Sequence, residues 1–173
     1  MVATWASRGW TFSLATVILI GSAGGAPPKR ARSVCQSGGT VAASAALTSF
    51  GRSVHTMRGE YAWDMFRQLV QKHGACNDGS LGEMWAELTT SMLNRYWQHA
   101  MSYPPLLKKA PFQDFVVRFI GSSVPIEDIA NIRLAATQHC AAKAKPFCAR
   151  VKEECDAALR EIHDTVPNGD QRP

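Results

Sequence analysis

The chain reads as all-α: a compact single-domain bundle of five or six helices, stapled by one or two disulfides. Three features carry that reading. Apolar residues between Val41 and Ile162 return at steps of three and four, the period of one helix face, and do not alternate as in a strand. Hairpin turns are missing from the same stretch, apart from Asn77-Asp78-Gly79, which separates two helical patterns. Five cysteines, three of them within residues 139–155, offer covalent staples.

The first 25 residues read as a cleavable signal peptide. Arg8 supplies the positive start, an uncharged and largely apolar run extends from Trp10 to Ile20, and small residues follow. The run is too short to span a bilayer core, which needs about twenty helical residues. Cleavage after Gly25 places Ala23 at the minus-three position. No cysteine follows the small residues and Arg8 stands alone, which argues against a lipoprotein anchor and a twin-arginine signal. Export by the general route to the periplasm or the medium is the expectation. Loss of residues 1–25 lowers Lys plus Arg from 19 to 18 and leaves Asp plus Glu at 14, a net charge near +4. Residues 26–39, with the basic run at 29–32, read as a flexible lead-in, and 166–173 as a disordered tail.

The helical domain is expected over residues 40–165. Its first helix covers about Thr40 to Met57 with Leu47, Phe50, Val54 and Met57 on one face, and Gly51 inside it. In the second, Tyr61, Met65, Phe66, Leu69 and Val70 share a broad face, and Gly74 follows Lys72 and His73 as the cap. The third opens on Ser80-Leu81-Gly82-Glu83, a capping-box pattern, and lines up Leu81, Met84, Trp85, Leu88, Met92 and Tyr96 before Pro104-Pro105. A short helix follows from Pro111 toward Gly121. The next starts near Pro125 with Ile126, Ile129, Ala130 and Leu134 expected inward. The last begins at Pro146 and buries Phe147, Val151, Ala158, Leu159 and Ile162. Its outer face sets Arg150–Glu154, Lys152–Asp156 and Arg160–Asp164 four residues apart.

The cysteine cluster reads as a staple and not as a metal or redox centre. His139, Cys140, Cys148 and Cys155 contain no close pair such as C-x2-C. On one helix, Cys148 and Cys155 stand about 10.5 Å apart along the axis, beyond the roughly 7 Å that a disulfide spans. A Cys140–Cys148 bond would close the corner around Pro146. Cys155 then needs a distant partner; Cys76 is the preferred one, which leaves Cys35 unpaired. No metal and no cofactor is expected.

Catalytic strings are missing: the chain contains no H-E-x-x-H, no G-x-S-x-G, no S-x-x-K and no glycine-rich phosphate loop. His55, Glu60 and Asp64 are the one set on which a hydrolase reading can rest, although carboxylates one turn apart are common on solvated helices. His99 shares the stripe of Leu81 and Leu88 and reads as a hydrogen-bonded core histidine, and His139 as a helix-end cation. The apolar face of the second helix covers about 200°, where a surface helix needs little more than 100°. Burial on two sides is the commoner fate of such faces. The sharper reading makes Trp63, Trp97, Met101 and Tyr103 an exposed binding patch, since such residues are enriched at interface cores. The expectation is a non-enzymatic, exported module that binds another exported or envelope protein, for example as an inhibitor or immunity-type protein. A carrier or sensor of a small apolar ligand is the alternative. Neither nucleic acid nor stable membrane insertion after cleavage is expected.

Overall fold

A computed structural model describes residues 35, 39–108, 110–121 and 123–165. The expected signal peptide, most of the lead-in and the tail lie outside the described residues. Seven α-helices, and no strand among the described residues, follow one another along the chain. They are α1 (Thr40–Ser53), α2 (Gly59–His73), α3 (Ser80–Ala100), α4 (Pro104–Leu107), α5 (Pro111–Arg118), α6 (Ile126–Gln138) and α7 (Lys145–Thr165). Single 3-10 turns at Val54–Thr56 and Ala142–Ala144 link α1 to α2 and α6 to α7. No helix of the described residues is long and apolar enough to cross a membrane.

The centre of the bundle is α3. Its 21 residues extend about 31 Å and pack against α1, α2 and α6. A helix covered on several sides needs apolar residues around most of its circumference. Leu81, Trp85, Leu88, Met92 and Tyr96 are buried on one arc, and Ala86, Leu93 and Trp97 extend it.

Three tryptophans fasten the elements to this core. Trp63 Nε1 donates to the Tyr96 carbonyl at 3.2 Å, Trp85 Nε1 to Cys76 at 2.9 Å and Trp97 Nε1 to His139 at 3.0 Å. Each buried ring thus finds an acceptor for its one polar atom; without it the indole would cost about 1–3 kcal/mol. The Trp63 bond also accounts for a kink. Tyr96 leaves the helical region at φ −121°, ψ 30°, where an inserted side chain takes its carbonyl, a recognised cause of helix bending.

Several local expectations are corrected. Ser80 does not cap α3: the cap is Gly79, at φ 53°, and no side chain supplies a capping bond. The left-handed backbone of Gly79 turns the chain out of the Asn77-Asp78 loop, a conformation that costs glycine little. Tyr61 points outward at 57% exposure, because Ala62, Trp63 and Phe66 form the buried face of α2. In α6 the buried residues are Ile129, Ile132 and Ala136, while Ile126 and Leu134 are about half exposed at 47% and 50%. Two apolar stripes compete on that helix, and the pairing with α3 and α7 selects one. His99 is exposed, not buried. Its ring covers Gly59 so closely that a Cβ there would stand 2.3 Å from Nδ1, so a larger residue at the first position of α2 must displace the His99 ring.

Charged pairs join helices more than they follow one helix face. Lys152 reaches Asp156 at 2.6 Å as expected, but Asp156 also binds Arg133 of α6. Arg150 bonds Asp114 of α5 at 2.8 Å, not Glu154. It also donates to Gln113, a buried side chain whose Nε2 reaches the Leu106 carbonyl at 2.6 Å. The ends of α4, α5 and α7 are thereby tied through one polar node.

Two disulfides are present. Cys140–Cys148 closes the corner between α6 and α7, with Cα atoms 6.2 Å apart. The second joins Cys35 to Cys76, Cα atoms 5.5 Å apart, and not Cys76 to Cys155. Cys155 is free and fully buried midway along α7. The reason is placement. The loop after α2 is drawn to α3 by the Trp85–Cys76 bond, whereas α7 packs chiefly on α6. Burial first, then the charge of Asp156, pushes the Cys155 thiol up to about 12, so it stays a neutral core residue at physiological pH.

Candidate binding site

The four residues expected to form a patch are core residues. Trp63 is 0% exposed, Trp97 5%, Met101 4% and Tyr103 9%. They also divide between two neighbourhoods. Trp63 stacks on Tyr103 with ring centroids 6.2 Å apart, beside Phe66 and Phe112. Trp97 stacks on Phe147 of α7 at 6.3 Å, and Met101 Sδ lies 3.6 Å from Cys148 Sγ. Tyr103 is held further: its hydroxyl donates to Asp64 at 2.6 Å and accepts from Arg67 at 3.1 Å. Burial and then the Asp64 bond push this phenol up to about 12. The surplus of aromatics packs the interior.

His55, Glu60 and Asp64 do not assemble. His55, on the 3-10 turn after α1, lines a polar cleft of about 310 Å³ with Ser91, Asn94, Arg95 and Asp128. Asp64 is engaged by Tyr103, and neither it nor Glu60 lines that cleft. Within the cleft, Asn94 donates to Asp128 at 3.0 Å and Arg95 to the His55 carbonyl at 2.7 Å. No hydrogen bond joins Ser91 to His55 among the described residues. Nor do three or more His, Cys, Asp or Glu side chains gather there as a metal set.

The site that sequence reasoning missed is the groove between α1 and α2, a cleft of about 330 Å³. Along α1, Ala46, Ser49 and Ser53 recur at steps of three and four and present small side chains to it. From the α2 side come Met65 and Leu69, with Met57 closing one end and Phe50 in the floor. Small residues on one wall and flexible ones on the other leave space where packed helices normally interdigitate. Met57, Met65 and Leu69 are consequently half-buried, packed against the core yet open to solvent. Unbranched thioether side chains adapt to different shapes, which suits a surface that receives a guest.

One end of the groove is polar. Lys72 and His73, in the last turn of α2, stand there, while Gln68 lies between Met65 and Leu69, and no acidic residue lines the groove. The only charged residue of α1 is Arg52. Partial burial, and secondarily the Lys72 ammonium, lowers the His73 pKa below its ordinary value. A larger cleft of about 680 Å³ lies between the starts of α1 and α3, but Val41 and Leu81 are its only large apolar side chains.

Fold and groove together define a class: a disulfide-stapled all-α module with an open apolar groove between α1 and α2. No protein-family model matches the chain, and no curated protein and no solved structure matches it.

Proposed function

We propose that the chain is an exported binding module that holds a small apolar ligand in the α1–α2 groove and carries or senses it. The observation that supports this reading is the half-burial of Met57, Met65 and Leu69 around an open cleft. The cleft falls at the lower end of the size range of small-molecule sites, about 300–1,000 Å³. Binding takes precedence over catalysis because His55, Glu60 and Asp64 do not share a cleft. The two disulfides are compatible with an oxidising compartment outside the cytosol, in keeping with export to the periplasm or the medium.

A neutral, environment-sensitive naphthylamine dye tests the reading. Saturable enhancement is expected with the wild type, and its loss is expected in Ser53→Phe, which fills the groove from a part-exposed position. An unchanged thermal midpoint would show that the variant still folds. Absence of saturable binding, or equal binding by the filled variant, would overturn the reading.

The second reading, a protein-binding module acting on another exported or envelope protein, draws on a different surface. Ile126, Ala130 and Leu134 recur at steps of four along α6 and face outward, with Ile126 and Leu134 half exposed. A photo-crosslinker at Leu134 that captures an envelope protein, when one placed at Ser53 does not, would favour it.

A further inference from the structure

The polarity of the groove identifies its guest more narrowly, on the assumption that the α1–α2 groove is a ligand site. We infer that the ligand is a medium-chain fatty acid, its carboxylate at Lys72 and His73 and its alkyl chain between Met65, Leu69 and Phe50.

Charge carries the first part of the argument. Among the groove residues, Lys72 is the cation and none is acidic, although the chain contains 14 Asp and Glu. Arg52, the only charged residue of α1, does not line the groove. Within the groove an anionic head group therefore meets the Lys72 ammonium and no carboxylate, and a cationic one meets repulsion from Lys72. Lys72 offers three donors on a mobile stem and the His73 imidazole a further one, enough for the two oxygens of one carboxylate. Two such groups match a single negative charge better than a phosphate dianion, which favours Arg clusters and several backbone amides.

Shape carries the second part. From Met65 to His73, eight residues of α2 advance about 12 Å, so the groove is a short slot with the Lys72 ammonium and the His73 imidazole at one end. Met65 and Leu69 lie one turn apart on the wall, Phe50 forms the floor and Met57 closes the slot. A single unbranched chain, apolar along its length and charged at its tip, has that arrangement of properties.

Methyl NMR on the full mature protein, with isotope-labelled methionine methyls, tests the assignment. Decanoate and decyltrimethylammonium serve as probes, each below its micelle concentration. Decanoate is expected to shift the Met57 and Met65 methyls and to leave those of the buried Met92 and Met101 in place. It should bind at least tenfold tighter than decyltrimethylammonium, and Lys72→Glu should reverse that preference. Across hexanoate, octanoate and decanoate, affinity should rise about two- to fourfold per methylene, below or up to the full burial value because the slot is open on one side. If both probes shift the same methyls with equal affinity, the charge assignment is wrong while the apolar-ligand reading stands. If neither probe moves Met57 or Met65, both are overturned.

Discussion

Two helix pairs of this molecule solve the same packing problem in opposite ways. Between α6 and α7 the seam is closed: Ile129, Ile132, Val151, Cys155 and Ala158 are all buried, and Arg133 and Lys152 converge on Asp156 across its edge. Between α1 and α2 a cleft is left open, with small residues facing methionines that are only partly buried. Both pairs lean on α3. The difference therefore lies in the facing residues, not in the support beneath them. Branched and aromatic side chains fill a seam and seal it, whereas a serine and alanine wall leaves room for something else.

Stability measurements can break that contrast. Phe147→Ala empties a 1% exposed position beside Trp97 and should cost about 3–5 kcal/mol in urea denaturation. Met65→Ala in the groove should cost roughly 1 kcal/mol, since its side chain is already half in water. Equal costs would mean that the groove is as closed as the seam.

The two disulfides sharpen the comparison. Cys35–Cys76 closes 41 residues of sequence and Cys140–Cys148 only 8. On the chain-entropy account, removing the first should cost about 4 kcal/mol and the second about 2.5 kcal/mol. Double Cys→Ser variants of each pair, compared by denaturation, check the order. A larger loss at Cys140–Cys148 would show that native contacts at the α6–α7 corner outweigh loop entropy.

A smaller effect comes from His73. Its folded-state pKa lies below the ordinary 6.5 because burial, and then Lys72, disfavours the charged ring. Between those two values the unfolded chain binds more protons, so stability rises with pH through that window and falls on acidification below about 6.5. The change should be small, as the imidazole is partly exposed and screened. His73→Gln should flatten it, which denaturation midpoints across the window would reveal.

Much of this architecture was legible in the sequence, and the gaps have physical causes. Helix positions followed from periodicity because one buried face suffices to mark a helix, as in α2, where Gly74 does end the run after Lys72 and His73. Gly51 sits inside α1 without ending it. Phase was less secure: α6 bears two apolar stripes, and only its neighbours decide that Ile132 goes inward and Leu134 outward. The Cys140–Cys148 corner is local and could be placed from spacing, while the partner of Cys76 depends on where the loop after α2 is drawn. The aromatic residues were visible, but their acceptors were not. Trp63, Trp85 and Trp97 bond to carbonyls 33, 9 and 42 residues away in sequence, which no helical wheel shows. The groove is a space between two helices, and it becomes visible only when the Ala46, Ser49 and Ser53 edge is known to face Met65 and Leu69.

Limited oxidation of the folded protein with hydrogen peroxide, followed residue by residue by mass spectrometry, tests the central claim most directly. Met57 and Met65 should convert to the sulfoxide well before Met92 and Met101, which are 0% and 4% exposed. Oxidation of Met101 as fast as Met65 would contradict the account, because it would return the accessible surface to the Trp97–Met101 side and close the groove.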